Sequence, residues 1–404
     1  MTLKISIISK TFRIHDNPFL DSDLYIIYVD KKDYGPAQMN LLHQLLHLHL
    51  KDLQRLQVDP VLLDKLDPLK KFLSNLKQDY QIYFDHTYPH LKFPFKKAIF
   101  MPTWTLLDWT PHVSMLQEWF LPEGLKNHKN FKVFTHSNLR DEYQSSHSQT
   151  KKPLGLKSNF QIIRSKKPSL PLPKDNLDSW ILQKLHQTTF MNNPKWFKPN
   201  TCPDTSILDT LEDPNQNIRT SKLSPFFAVG VLSPLVAYNF WNGQDRMGSG
   251  RDQLLFREMF HACGQMPEYW TDTFGQNYPW KKLDKITWRN YIQGQTGRPD
   301  VDWAMKQLAQ EGWLHHLARH LVADYLTRGT LEIHWKHGMN WFKKTLLDHD
   351  DAVNRGNWMG LSGTAFSTKQ RSFFHYNPDH FITKKSQKLK CHPGRRKKQS
   401  VKKS

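Results

Sequence analysis

The sequence predicts an N-terminal α/β domain with a shortened, open parallel sheet, followed by an all-α domain and a disordered basic tail. Three observations lead to this fold class. Short apolar runs alternate with leucine-rich helical stretches over residues 1–121. Over 177–383, apolar side chains recur at helical spacing. Residues 384–404 hold ten Lys or Arg, no acid and few apolar side chains, which is typical of a segment that does not fold.

The N-terminal domain, 1–121, is predicted to contain an open parallel sheet. Short apolar segments that end in polar turns indicate buried strands, and their alternation with helices is typical of a parallel α/β sheet. Strands are predicted at 3–9, 24–29, 81–84 and 98–101, and helices at 41–56 and 66–76. No glycine-rich phosphate-binding loop follows any of these strands, which disfavours an ordinary dinucleotide-binding fold.

A change in composition separates the two domains. Residues 122–176 are polar and interrupted by Pro153, Pro168, Pro171 and Pro173, and we interpret them as a linker that crosses the surface. The helical domain follows over 177–383. Its helices are predicted at 180–190, 234–241, 252–264, 301–310, 314–326 and 339–347.

Charge and composition restrict the partners of the chain. The formal net charge is +20, and +10 remains on residues 1–383 when the tail is set aside. A basic body favours a polyanionic partner such as nucleic acid, although solubility alone also explains it. The fourteen Trp residues suit stacking on unpaired bases or packing in a core.

Other classes of protein are disfavoured. The sequence has no apolar run near the roughly 18 residues of a membrane span, and its N-terminal apolar stretch is too short for a secretory signal. Three well-separated cysteines disfavour a disulfide framework and a cysteine zinc site. We therefore expect a protein of a reducing compartment that is neither secreted nor inserted in a membrane.

The most informative stretch is 311–360, where histidines, acids and tryptophans occur together in helical sequence. A helix places His316 and His320 on one face, with Arg319 on the neighbouring face. Two such histidines can donate a proton near neutral pH. Alternatively they bind zinc, which the lack of a third ligand disfavours, or they are ordinary polar residues of a helix surface.

Downstream, Asp348, Asp350 and Asn354 place two carboxylates and an amide near the start of a helix. A buried carboxylate needs a partner, and Arg319 would pair with Asp348 if their helices pack together. Asp350 would then accept a hydrogen bond from an imide or amidine edge of a heterocycle, and Asn354 would reach another ring atom. Residues 219–225 offer hydroxyl and N–H groups to a phosphate, although Ser-Pro helix caps are also common.

Six segments carry motifs that can be compared with known families. They read FRIHDNP (12–18), PLGLKSNFQ (153–161), TSKLSP (220–225), QLLFRE (253–258), GQTGRP (294–299) and EGWLHHLARHLVADYLTRG (311–329). Together they resemble the photolyase/cryptochrome flavoprotein family, and within it the branch of (6-4) photolyases and animal-type cryptochromes. The resemblance extends over about residues 5–381 and is strongest after residue 219.

The resemblance implies a U-shaped FAD in the helical domain. The residues that would hold its phosphates are Thr220, Ser221, Leu223 and Ser224. Asp348 would pair with Arg319 beside the flavin. Asp350 would contact the polar edge of the ring system and Asn354 would face N5, where an amide tunes the redox states of the cofactor. The N-terminal domain is shorter than the family's, which disfavours an antenna chromophore.

The resemblance also implies roles in electron and proton transfer. Trp280, Trp335 and Trp358 match the family's electron-transfer tryptophans, for which three core tryptophans are the alternative. His316 and His320 match the paired histidines of the (6-4) branch, where a histidine supplies a proton to the lesion.

Three residues match positions that contact a DNA lesion in the family. These are Gln253, Phe256 and Arg257, with Phe256 in place of a Trp. Gly360 stands where a lesion-stacking Trp is usual. Losing such a ring could forfeit roughly 1–3 kcal/mol of base binding.

These matches imply a blue-light-driven photolyase that repairs a flipped-out pyrimidine photoproduct in UV-damaged DNA, with the (6-4) type favoured, FAD as its cofactor and no metal. Animal cryptochromes share the same residues, so a photoreceptor or transcriptional regulator is the alternative. A third possibility is a homologue that keeps the fold and binds flavin poorly. Residues 395–398 fit a nuclear import signal, with a DNA-binding arm or a solvated terminus as alternatives. We expect a nuclear protein, with or without a cytoplasmic pool.

Overall fold

The structure is a computed structural model that describes part of the chain. The described residues are 2–85, 94–95, 98–100, 155–163, 170–187, 221–242, 248–271 and 278–364. They divide into two compact units. Unit 1 lies within Met1–Phe190, Ser221–Phe274 and Phe342–Gly356, and unit 2 within Met191–Thr220, Gly275–Trp341 and Asn357–Ser404. The predicted tail, 384–404, lies outside the described residues.

Unit 1 contains a parallel five-stranded sheet, as the sequence predicts. Its strands are β1 (Leu3–Ile8), β2 (Leu24–Tyr28), β3 (Val61–Leu63), β4 (Tyr80–Phe84) and β5 (Ile99–Phe100). Their order is β3-β2-β1-β4-β5, and every neighbouring pair is parallel. Strand β3 was not predicted, because three residues are too few to show a pattern.

Both faces of the sheet are covered, which explains why its inner strands are rich in buried apolar side chains. Successive side chains of a strand point to opposite faces. Ile5 and Ile7 of β1 therefore pack in one cluster with helix α2 (Asp67–Ser74). Ile8 packs in a second cluster with the long helix α1 (Pro36–Arg55).

Residues 155–163, which fall in the predicted linker, are attached to the edge of the sheet. The N–H of Asn159 donates to the carbonyl of Leu62 in β3 at 2.9 Å, and the N–H of Leu62 donates to Ser158 Oγ at 3.0 Å. Leu156 and Phe160 are buried. An edge strand leaves polar groups unpaired, and this segment supplies their partners. The described part of the linker thus packs against unit 1 instead of simply crossing its surface.

The FRIHDNP motif joins the end of β1 to later helices of unit 1. These helices are α3 (Leu177–His186), α4 (Ser224–Val229) and α5 (Pro234–Asn242). Arg13, almost fully buried, donates to the carbonyl of Gly230 at 3.0 Å. His15 Nδ1 lies 2.6 Å from Asp178 Oδ1, and its Nε2 accepts from the N–H of Ser233 at 3.1 Å. The motif therefore has a structural role within this unit.

The remaining α-helices are α6 (Gly248–Gly264), α7 (Lys285–Gln293), α8 (Pro299–Glu311), α9 (His316–Asp324), α10 (Trp335–Thr345) and α11 (Asp351–Leu361). Helices α6, α8, α9 and α10 are close to those that the sequence predicts. Helix α7 was not predicted, and of α11 only the start was expected. Gly294 and Gly312, both at positive φ, follow α7 and α8 as C-caps. In unit 2 the Tyr291 hydroxyl donates to the carbonyl of Val322 at 3.0 Å, which ties α7 to α9. Within the described ranges, no helix is both long and apolar enough to span a bilayer.

Candidate functional site

A row of polar residues follows one face of α6 in unit 1. Gln253, Arg257 and His261 are four residues apart, so they lie one above another on the helix. Their burial increases along the row. Gln253 is exposed, the Arg257 side chain is 12 % exposed, and His261 is fully buried. Gln253 and Arg257, which are predicted to contact the substrate, therefore lie on a helix face that ends at the buried His261. The side chain of Phe256 lies outside the described residues.

At the inner end of this row, His261 meets Asp350. His261 Nε2 lies 3.2 Å from Asp350 Oδ2, and both side chains are buried. Asp350 Oδ1 accepts the N–H of Val353 at 3.0 Å, which caps the start of α11. Burial alone raises the pKa of Asp350, but the nearby His261 and Arg257 outweigh it and hold the pKa well below its ordinary value. Asp350 is thus a buried, ionised hydrogen-bond acceptor.

A glycine allows α6 and α11 to approach closely enough for this contact. A Cβ on Gly356 would overlap the ring of Phe260 and crowd the hydroxyl of Tyr269. That hydroxyl donates to the carbonyl of Ala352 at 2.7 Å, and Arg355 Nε donates to the carbonyl of Tyr269 at 2.6 Å. The segment after α6 is therefore locked to α11, which fixes Asp350 beside His261.

Asn354 lies one turn after Asp350 on α11, and it is 8 % exposed. Its Nδ2 is 3.2 Å from His349 Nδ1. Asp348 is partly buried in the same unit. Arg319 belongs to unit 2, where its Nε donates to the carbonyl of Leu314 at 2.9 Å. The pairing of Asp348 with Arg319 stays a prediction.

The predicted phosphate-binding segment precedes the short helix α4. Thr220 lies outside the described residues. Ser221 Oγ accepts the N–H of Leu223 at 3.3 Å, and Ser224, the first residue of α4, is exposed. The side chain of Leu223 is buried in the core of unit 1, so only its backbone groups could reach a ligand. Among the described residues of this predicted set, a phosphate could be bound by the hydroxyls of Ser221 and Ser224 and by backbone groups.

In unit 2, the predicted proton donors lie together at the start of α9. The rings of His316 and His320 are 6.0 Å apart in an edge-to-face arrangement, and His316 is exposed. The preceding His315 is buried, with its ring 4.4 Å from that of His316. Burial, aided by the charges of His316 and Arg319, lowers the pKa of His315 to about 3. His315 is therefore neutral at physiological pH.

The three predicted electron-transfer tryptophans also belong to unit 2. Trp358 is 1 % exposed, Trp335 is 4 % exposed, and Trp280 is partly exposed. The ring of His334 lies between two of them, 5.3 Å from Trp280 and 5.4 Å from Trp335. Trp358 lies against Gly338, three residues after Trp335 on α10, where a Cβ would overlap its ring. The rings of Trp335, His334 and Trp280 thus form a series that leads from a buried tryptophan to a partly exposed one.

Gly360 lies near the end of α11, and none of the residues that the structure describes is within 4 Å of the position that its Cβ would occupy. The absence of a lesion-stacking ring at this position stays a prediction. Among the residues that the structure describes, no group of three or more His, Cys, Asp or Glu is arranged to hold a metal ion.

Comparison with known proteins finds a match in the second half of the chain. Residues 250–390 match the FAD binding domain of DNA photolyase. This region is therefore similar to the flavin-binding part of the photolyase/cryptochrome family. The match supports FAD as its cofactor.

Relatives of the chain include both branches of the family. Cryptochrome-2 of Gallus gallus is 40% identical over 167 residues, which are 38% of this chain and 28% of that protein. The (6-4)DNA photolyase of Oryza sativa subsp. japonica is 38% identical over 167 residues, 36% of this chain and 29% of that protein. The matched region therefore spans less than a third of these relatives.

Solved structures share the fold. A bacterial class III photolyase from Agrobacterium tumefaciens has a TM-score of 0.60 and is 21% identical, with 96% of this chain and 84% of that chain covered. The fold expected from the sequence, a parallel-sheet domain and a helical domain, is confirmed.

The polar residues of the candidate site fit a flavin. The ionised carboxylate of Asp350 is a suitable acceptor for an imide N–H, and the carboxamide of Asn354 offers both a donor and an acceptor. The partly exposed guanidinium of Arg257 adds positive charge that suits an electron-rich or anionic ligand. The side chains of Asp350, Asn354 and Arg257 therefore suit the polar edge of an isoalloxazine ring.

Three histidines beside predicted site residues were not assigned from the sequence. His261, His315 and His349 are buried and contact predicted site residues. A sequence signal existed for His261, because it continues the four-residue spacing of Gln253 and Arg257. His349 lies between the two assigned acids Asp348 and Asp350, but the direction of its side chain depends on how the chain turns before α11.

Proposed function

We propose that the chain is an FAD-dependent, blue-light-driven DNA photolyase that repairs pyrimidine photoproducts in UV-damaged DNA, with (6-4) photoproducts favoured. The arrangement of His316 and His320 carries this proposal. Their rings are 6.0 Å apart at the start of α9, so both can address one substrate. The basic charge of +10 on residues 1–383 supports a DNA substrate, since it favours a phosphate backbone.

Bound FAD supplies a photoexcitable electron donor to the lesion. Asp350 would accept a hydrogen bond from the ring edge, and Asn354 would face N5. Asp348 with Arg319 would lie beside the ring, and Thr220, Ser221, Leu223 and Ser224 would hold the phosphates. His316 or His320 would donate a proton to the lesion, and neutral His315 leaves that task to them. Gln253, Phe256 and Arg257 would contact the flipped-out lesion.

Replacing His316 or His320 by alanine is expected to lower the rate of (6-4) repair by about 10²–10⁴-fold, because a positioned proton donor contributes that much. The measurement is repair of oligonucleotides with a single (6-4) or cyclobutane photoproduct under blue light. His337→Ala is the matched control, since His337 is an exposed histidine elsewhere in unit 2. Full repair by both histidine variants would refute the assigned role. Wild-type protein that binds FAD but repairs neither lesion would refute the proposed function.

Replacing Trp335 by phenylalanine is expected to block light-driven reduction of the bound FAD, since a phenyl ring is much harder to oxidise than an indole. FAD content and repair by chemically reduced protein should be unchanged. Trp341→Phe is the control, because Trp341 lies on the same helix but packs at 6.2 Å from Trp288. Photoreduction of the W335F variant at the wild-type rate would exclude Trp335 from the path.

A second function is a cryptochrome-like photoreceptor or transcriptional regulator without repair. Gly360 favours this function, because a glycine stands where a lesion-stacking Trp is usual in the family. A light-dependent interaction with a protein partner that persists in the H316A/H320A double variant, without repair by wild type, would support this function. A flavin-free absorption spectrum after gentle purification would instead indicate a homologue that has lost its cofactor.

The basic tail suggests a location and a further partner. Residues 395–398 would bind a nuclear import receptor, which places the protein in the nucleus, with or without a cytoplasmic pool. These residues lie outside the described part of the structure. Fluorescent fusions with and without 384–404 would test this, and equal nuclear accumulation of both would argue against it.

A further inference from the structure

Four polar side chains of unit 1 form a continuous series that ends at Asn354. Asn354 Nδ2 lies 3.2 Å from His349 Nδ1, and His349 Nε2 lies 2.9 Å from Asp351 Oδ1. Lys343 Nζ then donates to the same oxygen of Asp351 at 3.0 Å. The series leads from side chains that are about one-third exposed, Lys343 and Asp351, to the nearly buried Asn354.

The chemistry of these groups fixes the direction of each hydrogen bond. Burial alone raises the pKa of Asp351, but His349 and Lys343 outweigh it and hold the pKa below its ordinary value. Asp351 is therefore ionised and can only accept, so His349 Nε2 is the donor. Asn354 Nδ2 can only donate, and it lies 3.2 Å from His349 Nδ1. His349 Nδ1 is therefore the acceptor of the hydrogen bond from the amide NH₂ of Asn354.

His349 itself has little freedom to move. It is 3 % exposed, and its carbonyl accepts from Gln38 Nε2 of α1 at 2.7 Å. The chain at Gly35, just before α1, packs so closely on the carbonyl of Lys343 that a Cβ there would overlap it. Both ends of the series are thus held by the α/β part of unit 1.

Other charged groups of unit 1 lie near the series. Asp33 interacts electrostatically with Lys10, Asp351 and Lys343, and burial raises its pKa to about 6. On the far side, the carboxylate of Asp350 lies 3.2 Å from His261. In the contacts described above, His349 Nε2 lies beside Asp351 and His349 Nδ1 lies beside Asn354. Asp33 and Asp350 are not partners of either nitrogen in those contacts.

We propose that His349 is a positioning residue that holds the Asn354 carboxamide with its NH₂ toward His349 and its oxygen presented to the flavin. This rests on the proposed function, which assigns Asn354 to flavin N5. An amide oxygen accepts a hydrogen bond from a protonated ring nitrogen but repels the lone pair of an unprotonated one. His349 therefore favours the reduced, N5-protonated flavin over the oxidised flavin, which suits a repair reaction that starts from reduced FAD.

The test is the midpoint potential of bound FAD in the full-length His349→Phe variant, which keeps a ring of similar size but removes both nitrogens. We expect the equilibrium ratio of reduced to oxidised flavin to fall about tenfold, equivalent to about 30 mV for a two-electron couple. His186→Phe is the matched control, because His186 is an exposed histidine of α3 in the same unit, and its potential should equal that of wild type.

The outcomes separate this inference from the proposed function. Wild-type protein without bound FAD would refute the proposed function. An unchanged potential in FAD-loaded H349F would overturn the role of His349 alone. If H349F does not fold, Asp351→Asn replaces it, since an amide at 351 no longer imposes one tautomer on His349. A shift toward oxidised flavin in D351N supports the inference, and an unchanged potential overturns it.

Discussion

Replacing Gly338 by alanine is expected to lower the free energy of unfolding by about 1–3 kcal/mol, the usual cost of overpacking a well-packed core. The added Cβ would overlap the ring of Trp358, which is 1 % exposed and has no room to retreat. Alanine otherwise favours a helix over glycine by about 1 kcal/mol, so the destabilisation would run against helix propensity. Urea unfolding of wild type and variant measures the difference.

The control for this variant is Gly360→Ala. Gly360 is also a helical glycine, but no described residue lies within 4 Å of its Cβ position. G360A is therefore expected to leave stability unchanged or raise it by up to about 1 kcal/mol. We also expect G338A to slow light-driven reduction of FAD, since it displaces Trp358 from its place next to α10. Equal stability of G338A and G360A would show that the packing of Trp358 on Gly338 is not tight.

Replacing Asp350 by asparagine is expected to destabilise the protein by about 3 kcal/mol at neutral pH and to remove most of the bound FAD. Removing a buried charge that interacts with neighbouring side chains, here His261 and Arg257, has such an effect. Asparagine can still accept the N–H of Val353 and cap α11, so the loss reports the charge of Asp350 beside His261. Urea unfolding and the flavin-to-protein absorbance ratio measure the two effects. Asp59→Asn, which changes an exposed acid, should stay within about 0.5 kcal/mol of wild type.

The same variant predicts a change in pH dependence. The pKa of Asp350 is lower in the folded protein than the value of about 3.9 for an unfolded Asp. Its contribution to stability is therefore present above about pH 4 and is lost as the pH falls further, towards the folded pKa. The difference in unfolding free energy between wild type and D350N should narrow below about pH 4. A difference that stays constant down to pH 2 would contradict the assigned ionisation of Asp350.

The secondary structure was largely predictable because it depends on local patterns. Strands β1 and β2 are buried along nearly their whole length, β4 buries Ile82 and Phe84, and α1 repeats leucine at helical spacing. The motif from Asp348 to Asn354 was also recognisable, since carboxylates and an amide beside apolar sequence indicate a polar site. Strand β3 and the attachment of residues 155–163 were not, because they depend on pairing with distant residues.

By itself, the sequence determined which residues are the candidates for the chemistry: the histidines of α9, the acids before α11 and the tryptophans of unit 2. Only the tertiary structure decided how some of them are held. Asp350 is kept ionised by His261, 89 positions earlier, and this depends on the close packing of α6 and α11 at Gly356. The orientation of Asn354 depends on His349, whose ring is directed by Asp351. These contacts do not recur at a regular spacing along the sequence. No periodic sequence pattern could therefore reveal them.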